Sequence, residues 1–200
     1  MAHYVCNINS IRKRPRDEEL IMAVHGMIDI ETLDTTPSAT ILSLGAVKFN
    51  PTNTLEPHTE LYLKISIDEQ DAQGRTASDS TIKWWGTQDP AIMEEAFDQT
   101  GAVSVQEALR QITKWSVGLD TLWGQGYGFD MTIIEDLYRN NAVSIPWNFW
   151  IVKDCRTLFG CCAKDPRKIL KQTNLHNALA DAYFQAQGVQ YAYNELGLKR

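Results

Sequence analysis

The chain has 200 residues, 44% of them hydrophobic, which is enough apolar material for one domain with a substantial core and excludes a disordered chain. Its 19 Lys and Arg against 25 Asp and Glu leave a formal charge of -6, which excludes a protein that holds nucleic acid by broad phosphate neutralisation; any grip on a polyanion has to be local. There is no run of the roughly 18 apolar residues that a membrane span needs and no apolar signal-peptide core, and Cys6, Cys155, Cys161 and Cys162 lack zinc-site or disulfide-framework spacing, so the expectation is a cytoplasmic protein with reduced thiols.

In chain order, residues 1–21 read as a flexible leader. Arg12, Lys13, Arg14 and Arg16 surround Pro15 there, either as a nucleic-acid contact or as a solvated tail. The single domain expected is 22–200. Its first strand is the apolar run from Met22 through Glu31, followed by turn residues Thr35 to Ser38 and a second strand over Ala39 to Phe49. A third strand is expected from Thr59 to Ile67, where Leu61, Leu63, Ile65 and Ile67 alternate with Tyr62, Lys64 and Ser66.

Helical signals follow. Ser80-Thr81 precedes a segment with Ile82, Trp84 and Trp85, and Pro90 opens another around Ile92, Met93 and Phe97. Ser104 to Ser116 carries a Ser104/Glu107 capping box and an apolar stripe of Val105, Ala108, Leu109, Ile112 and Trp115. A short strand is expected over Asp120 to Trp123, then a Gly-rich entry into a helix from Phe129 to about Asn140. A strand near Phe149 to Val152, a short helix through Leu158, and a long helix capped by Thr173 or Asn174 and ending near Leu196 complete the chain. Strands first, then strands interleaved with helices, predict an α/β fold with a mixed sheet flanked by helices.

Three blocks carry chemistry. Asp29 and Glu31 are two apart in an apolar strand, so the pleat turns both to one face. Two buried anions side by side need a cation or strong donors; the alternative is a strand end in solvent. Asp130 lies three, four and seven residues before Ile133, Ile134 and Leu137, on the inward stripe of its helix, although an Asp at a helix start can also be only an N-cap. In His176-Asn177-Ala178-Leu179-Ala180-Asp181, Asp181 sits among small and apolar neighbours, and His176 can swing toward a neighbouring site or be structural.

The ordered set of a DxE on the first strand, an Asp after a strand-to-helix turn and a C-terminal HxxxxD resembles the motifs of DnaQ-like (DEDDh) 3′-5′ exonucleases of the RNase H-like superfamily. Ile41 to Phe49 is similar to that family's second strand. Ser80-Thr81-Ile82-Lys83-Trp84-Trp85 with Pro90 is similar to the phage DexA-type exonucleases and the Rv2179c-like 3′-5′ exoribonucleases. The resemblance implies a five-stranded RNase H-like sheet and two Mg²⁺ ions, with Mn²⁺ able to substitute. Asp29 would serve both ions, Glu31 and Asp181 the first and Asp130 the second, with His176 as general base. It also implies a homodimer and the release of nucleoside 5′-monophosphates from single-stranded 3′ ends, with DNA ahead of RNA on the phage-like segment.

For substrate contacts, Trp84 or Trp85 could stack on terminal bases. Adjacent helical residues point about 100° apart, so at most one does so and the other joins the core. Tyr127 and Phe129 flank Asp130, and the backbone around Ile30, Thr32 and Leu33 could approach the terminal nucleotide. Two other classes of function are a nucleic-acid-binding module that has lost catalysis and a carboxylate-rich metal-binding protein. A binding module has no need to retain all five polar groups.

Overall fold

A computed structural model describes residues 23–53, 56–172 and 174–199; the leader expected over 1–21, Met22 and the cap candidate Thr173 lie outside the described residues. The strands are β1 (His25–Thr32), β2 (Ile41–Phe49), β3 (His58–Lys64), β4 (Thr121–Gly124) and β5 (Val152–Asp154). They form one sheet in the order β3-β2-β1-β4-β5. The first three form an antiparallel meander, while β4 and β5 run parallel to β1, so the sheet is mixed as expected. A parallel return needs a long crossover. Helices α1 (Ile67–Ala72), α2 (Asp79–Trp85), α3 (Pro90–Phe97) and α4 (Val105–Trp115) occupy the one between β3 and β4.

Helix α5 (Asp130–Asn140) follows β4, α6 (Cys155–Phe159) follows β5, and α7 (Ala178–Leu196) ends the fold. The period-two residues of β1 sort the two layers. Ile28 and Ile30 face a core shared with α4 and α5, including Leu109, Ile112, Met131, Ile134 and Tyr138. Met27 faces the other core, built with Phe159 of α6 and Ala182, Ala186 and Val189 of α7. Asp29 and Glu31 continue the Met27 side, so the pleat turns both toward α7.

Some boundaries differ from expectation for physical reasons. The third strand stops at Lys64, because Ser66 accepts the Glu69 N–H at 3.2 Å and caps α1; the alternation through Ile67 continues into a helix. Phe149–Ile151 is a 3-10 turn, and the strand begins only at Val152. The cap of α7 is Asn177, whose Oδ1 accepts the Ala180 N–H at 3.0 Å, rather than Asn174. Ser104 caps α4 by accepting the Glu107 N–H at 3.1 Å. The Glu107 carboxylate turns instead to Arg110 and Gln111, so only half of the capping box forms.

Candidate active site

Gly45 decides where α7 can lie. It pairs with Asp29 across β1 and β2. A Cβ built on it would fall 2.2 Å from the Ala178 carbonyl carbon and the Leu179 nitrogen. Only a residue without a side chain lets the first turn of α7 rest on the strand there. That contact carries the preceding His176 and the following Asp181 to the end of β1 that bears the two acids. As a result Glu31, His176 and Asp181 each offer a ligating atom within 4.8 Å of the others.

Asp130 arrives from the opposite layer. It is the first residue of α5, after a Phe129 cap position that makes no side-chain cap bond, and it is 3% exposed. The N-cap alternative therefore does not describe it, and the inward-stripe reading does. Its carboxylate lies against Gly124 at the end of β4, where a Cβ would be 3.4 Å from Oδ2. Backbone N–H groups of Ile30 and Gln125 face it, so it abuts β1 between Asp29 and Glu31.

Four carboxylates thus share one partly buried end of the sheet, and their proton affinities report the strain. Burial raises Asp29 far above the ordinary carboxylate range, and the charges of Asp130, Glu31 and Asp181 push it further. Burial, followed by Asp181 and Asp130, raises Glu31 to about 8. Burial raises Asp130 to about 7 against its backbone donors and Arg156. Asp181 is raised by burial, offset by the Gln172 amide and His176. Among the described residues, no Lys or Arg forms an ion pair with any of the four. Four carboxylates that favour their protonated forms for want of a cation suit a hard divalent ion, which would displace those protons.

His176 sits just before α7 with φ 60°, in the left-handed region. Its ring meets Trp84 edge to face at 5.0 Å between centroids and Trp85 at 6.0 Å. The two tryptophans divide as their helical spacing requires. Trp85 is 1% exposed and donates its indole N–H to the Thr32 carbonyl at 2.9 Å, while Trp84 is 42% exposed beside the imidazole. Ile30, Thr32 and Leu33 are buried; Leu33 packs with Leu42, Trp85 and Ala96, and the Thr32 hydroxyl donates to the Asp34 carbonyl. Tyr127 is exposed in the Gly-rich loop, and Phe129 packs against the α4/α5 core.

Residues without a role in the three motifs hold this arrangement. Gly45 was legible only as part of a strand, although a glycine amid β-formers marks a close approach. Asn177, inside the His block, both caps α7 and donates Nδ2 to Glu95 Oε1 at 2.5 Å, tying α7 to α3. Gln172 and Gln185 carry no motif, and they donate to Asp181 and Asp29.

A family model described as the Rv2179c-like 3′-5′ exoribonuclease domain matches residues 24–193, nearly all of the described chain. No curated protein sequence is significantly similar to it. Among solved structures, E. coli exonuclease I in complex with a dA16 oligonucleotide superposes with a TM-score of 0.62 at 15% identity, over 88% of this chain and 42% of that one. The nuclease domain of 3′hExo, a DEDDh family member bound to rAMP, gives 0.57 at 18% identity over 87% and 93%. Cell-death related nuclease 4 gives 0.60 at 12% identity over 86% and 64%. This chain therefore spans about two fifths of the exonuclease I chain. At these identities the structures speak for the fold, and the family match speaks for the kind of protein: the chain belongs to the Rv2179c-like 3′-5′ exoribonuclease domain family and has the RNase H-like fold of the DEDDh nuclease structures.

Proposed function

We propose that the chain is a divalent-metal-dependent hydrolase that removes nucleoside 5′-monophosphates one at a time from the 3′ end of a single strand. The observation that carries this reading is the convergence of Asp29, Glu31, Asp130 and Asp181, from β1, α5 and α7, on one end of the sheet beside His176. Two Mg²⁺ ions, with Mn²⁺ able to substitute, would be held by these four carboxylates; bound there, they supply Lewis acidity to the phosphoryl group and lower the pKa of the attacking water.

The chain's own residues do the rest. His176 takes a proton from the attacking water as its oxygen bonds to phosphorus, the role for which an imidazole is suited near neutral pH. The bond from phosphorus to the 3′-oxygen breaks, and that oxygen gains a proton from solvent, leaving a shortened strand and a 5′-mononucleotide. Trp84, exposed and edge-on to His176, is placed to stack on the terminal base. With a net charge of -6, the protein has no overall cationic excess to drive strong non-specific binding, which favours recognition of the end over the length of the strand.

The expectation of DNA ahead of RNA rests on the segment from Ser80 to Trp85. The family description, which names an exoribonuclease and covers 24–193, favours RNA as the second reading. The test is a time course on 5′-labelled DNA and RNA with single-stranded 3′ tails, in Mg²⁺ and in EDTA. A ladder shortening from the 3′ end in Mg²⁺ and absent in EDTA is expected, and the faster substrate ranks the two acids. Digestion that is indifferent to chelator would remove the mechanism.

A further inference from the structure

The two acids at the centre of the cluster are each gripped by a neutral amide. Gln185 Nε2 donates to Asp29 Oδ1 at 2.7 Å, and Gln172 Nε2 donates to Asp181 Oδ1. The glutamines approach from different parts of the chain. Gln185 lies one turn after Asp181 on the face of α7 that packs on the sheet, whereas Gln172 comes from the irregular segment ahead of that helix.

Packing does not account for Gln185. It is 3% exposed, and its Oε1 is buried with no hydrogen-bond partner among the described residues. A half-satisfied buried amide costs free energy that a Leu or Met of similar volume would avoid. What an amide offers, and neither a hydrocarbon nor a cation does, is a directed donor without charge. A Lys or Arg at either place would orient the carboxylate but also neutralise it, taking up the charge a divalent ion needs.

We propose that Gln185 and Gln172 are positioning residues that hold the Asp29 and Asp181 carboxylates in the orientation that receives divalent metal, leaving their charge intact. The inference rests on the metal reading of this site. Donors of this kind around metal-binding groups govern metal affinity by about 10- to 100-fold.

The experiment is a Mn²⁺ titration, followed by electron paramagnetic resonance and calorimetry, of the wild-type chain, Gln185→Leu and Gln172→Leu, with thermal unfolding of all three in EDTA. Each variant is expected to bind Mn²⁺ about ten-fold more weakly or worse. Melting in EDTA should change little, because in Gln185→Leu the lost donor to Asp29 and the lost orphaned oxygen oppose each other. Wild-type Mn²⁺ affinity in the variants, with or without a lower melting temperature, would make the glutamines packing residues and overturn the proposal. If Gln185→Leu fails to fold, Gln172→Leu, substituted outside the helix, decides by itself. A wild-type chain that binds no Mn²⁺ would remove the site reading as well, an outcome distinct from a variant that binds as the wild type does.

Discussion

One face of β1 carries an ionisable group at its start and another four residues on, and the two are treated in opposite ways. At the start, His25 is enclosed by Phe49, Trp123 and Tyr193, and its Nδ1 accepts the Trp123 indole N–H at 3.0 Å. Burial drives its pKa down to about 4 against the pull of Asp120, so it is neutral at physiological pH and satisfied. Four residues on, Asp29 is crowded by three like charges with no cation paired to it among the described residues. A buried titratable group that is neutral and hydrogen-bonded belongs to the scaffold; one kept near others of its own sign marks a place that expects a ligand.

Removing a member of the crowded end separates function from stability most sharply. Asp130→Asn should remove most of the turnover, because a carboxylate that would hold metal becomes a neutral amide. It should also raise the melting temperature in EDTA, because one of the crowded charges is gone. A variant with wild-type rate would exclude Asp130 from the machinery. His176→Ala should lose about 10²- to 10⁴-fold in kcat with the fold unchanged. An unaltered pH-rate profile would assign proton transfer to another group.

At the quiet end the effect is on stability alone. The folded-state pKa of His25 lies below the unfolded value of 6.5, so its contribution is complete above pH 6.5 and is lost as pH falls toward about 4. A non-titrating His25→Phe variant leaves the Trp123 N–H without its acceptor and should be less stable than wild type by about 1 to 3 kcal/mol at pH 7.5. That difference should shrink or reverse near pH 4, over a swing of about 3 kcal/mol. Parallel curves for the two proteins would mean that His25 is not held neutral. Trp84→Ala should weaken oligonucleotide binding by about 1 to 3 kcal/mol, seen in KM more than in kcat. A kcat loss without a KM change would instead tie Trp84 to the orientation of His176.

Much of this could be read from local pattern. The DxE pair, the inward-facing Asp130 and the His block follow from strand and helix periodicity, and the structure brings them together. The mixed sheet followed from the order of elements. What local pattern could not supply is contact between distant segments. Nothing near Gly45 shows that Ala178 lies against it, and nothing near Gln185 shows that Asp29 is its partner. Boundaries slipped where a side chain redirected the backbone, as Ser66 does at the start of α1 and Asn177 at the start of α7. No local pattern marks His25, because its aromatic enclosure is assembled from β2, β4 and α7.

The contrast between the two ends of β1 is tested most directly by counting protons. With Glu31 raised to about 8 and Asp130 to about 7, the metal-free cluster retains protons at pH 7 that a divalent cation must displace. Calorimetric titration of Mn²⁺ at pH 7, repeated in buffers of different ionisation enthalpy, should show net proton release on binding that decreases as pH rises through 8. Binding without proton release at pH 7, or no binding, would contradict the account.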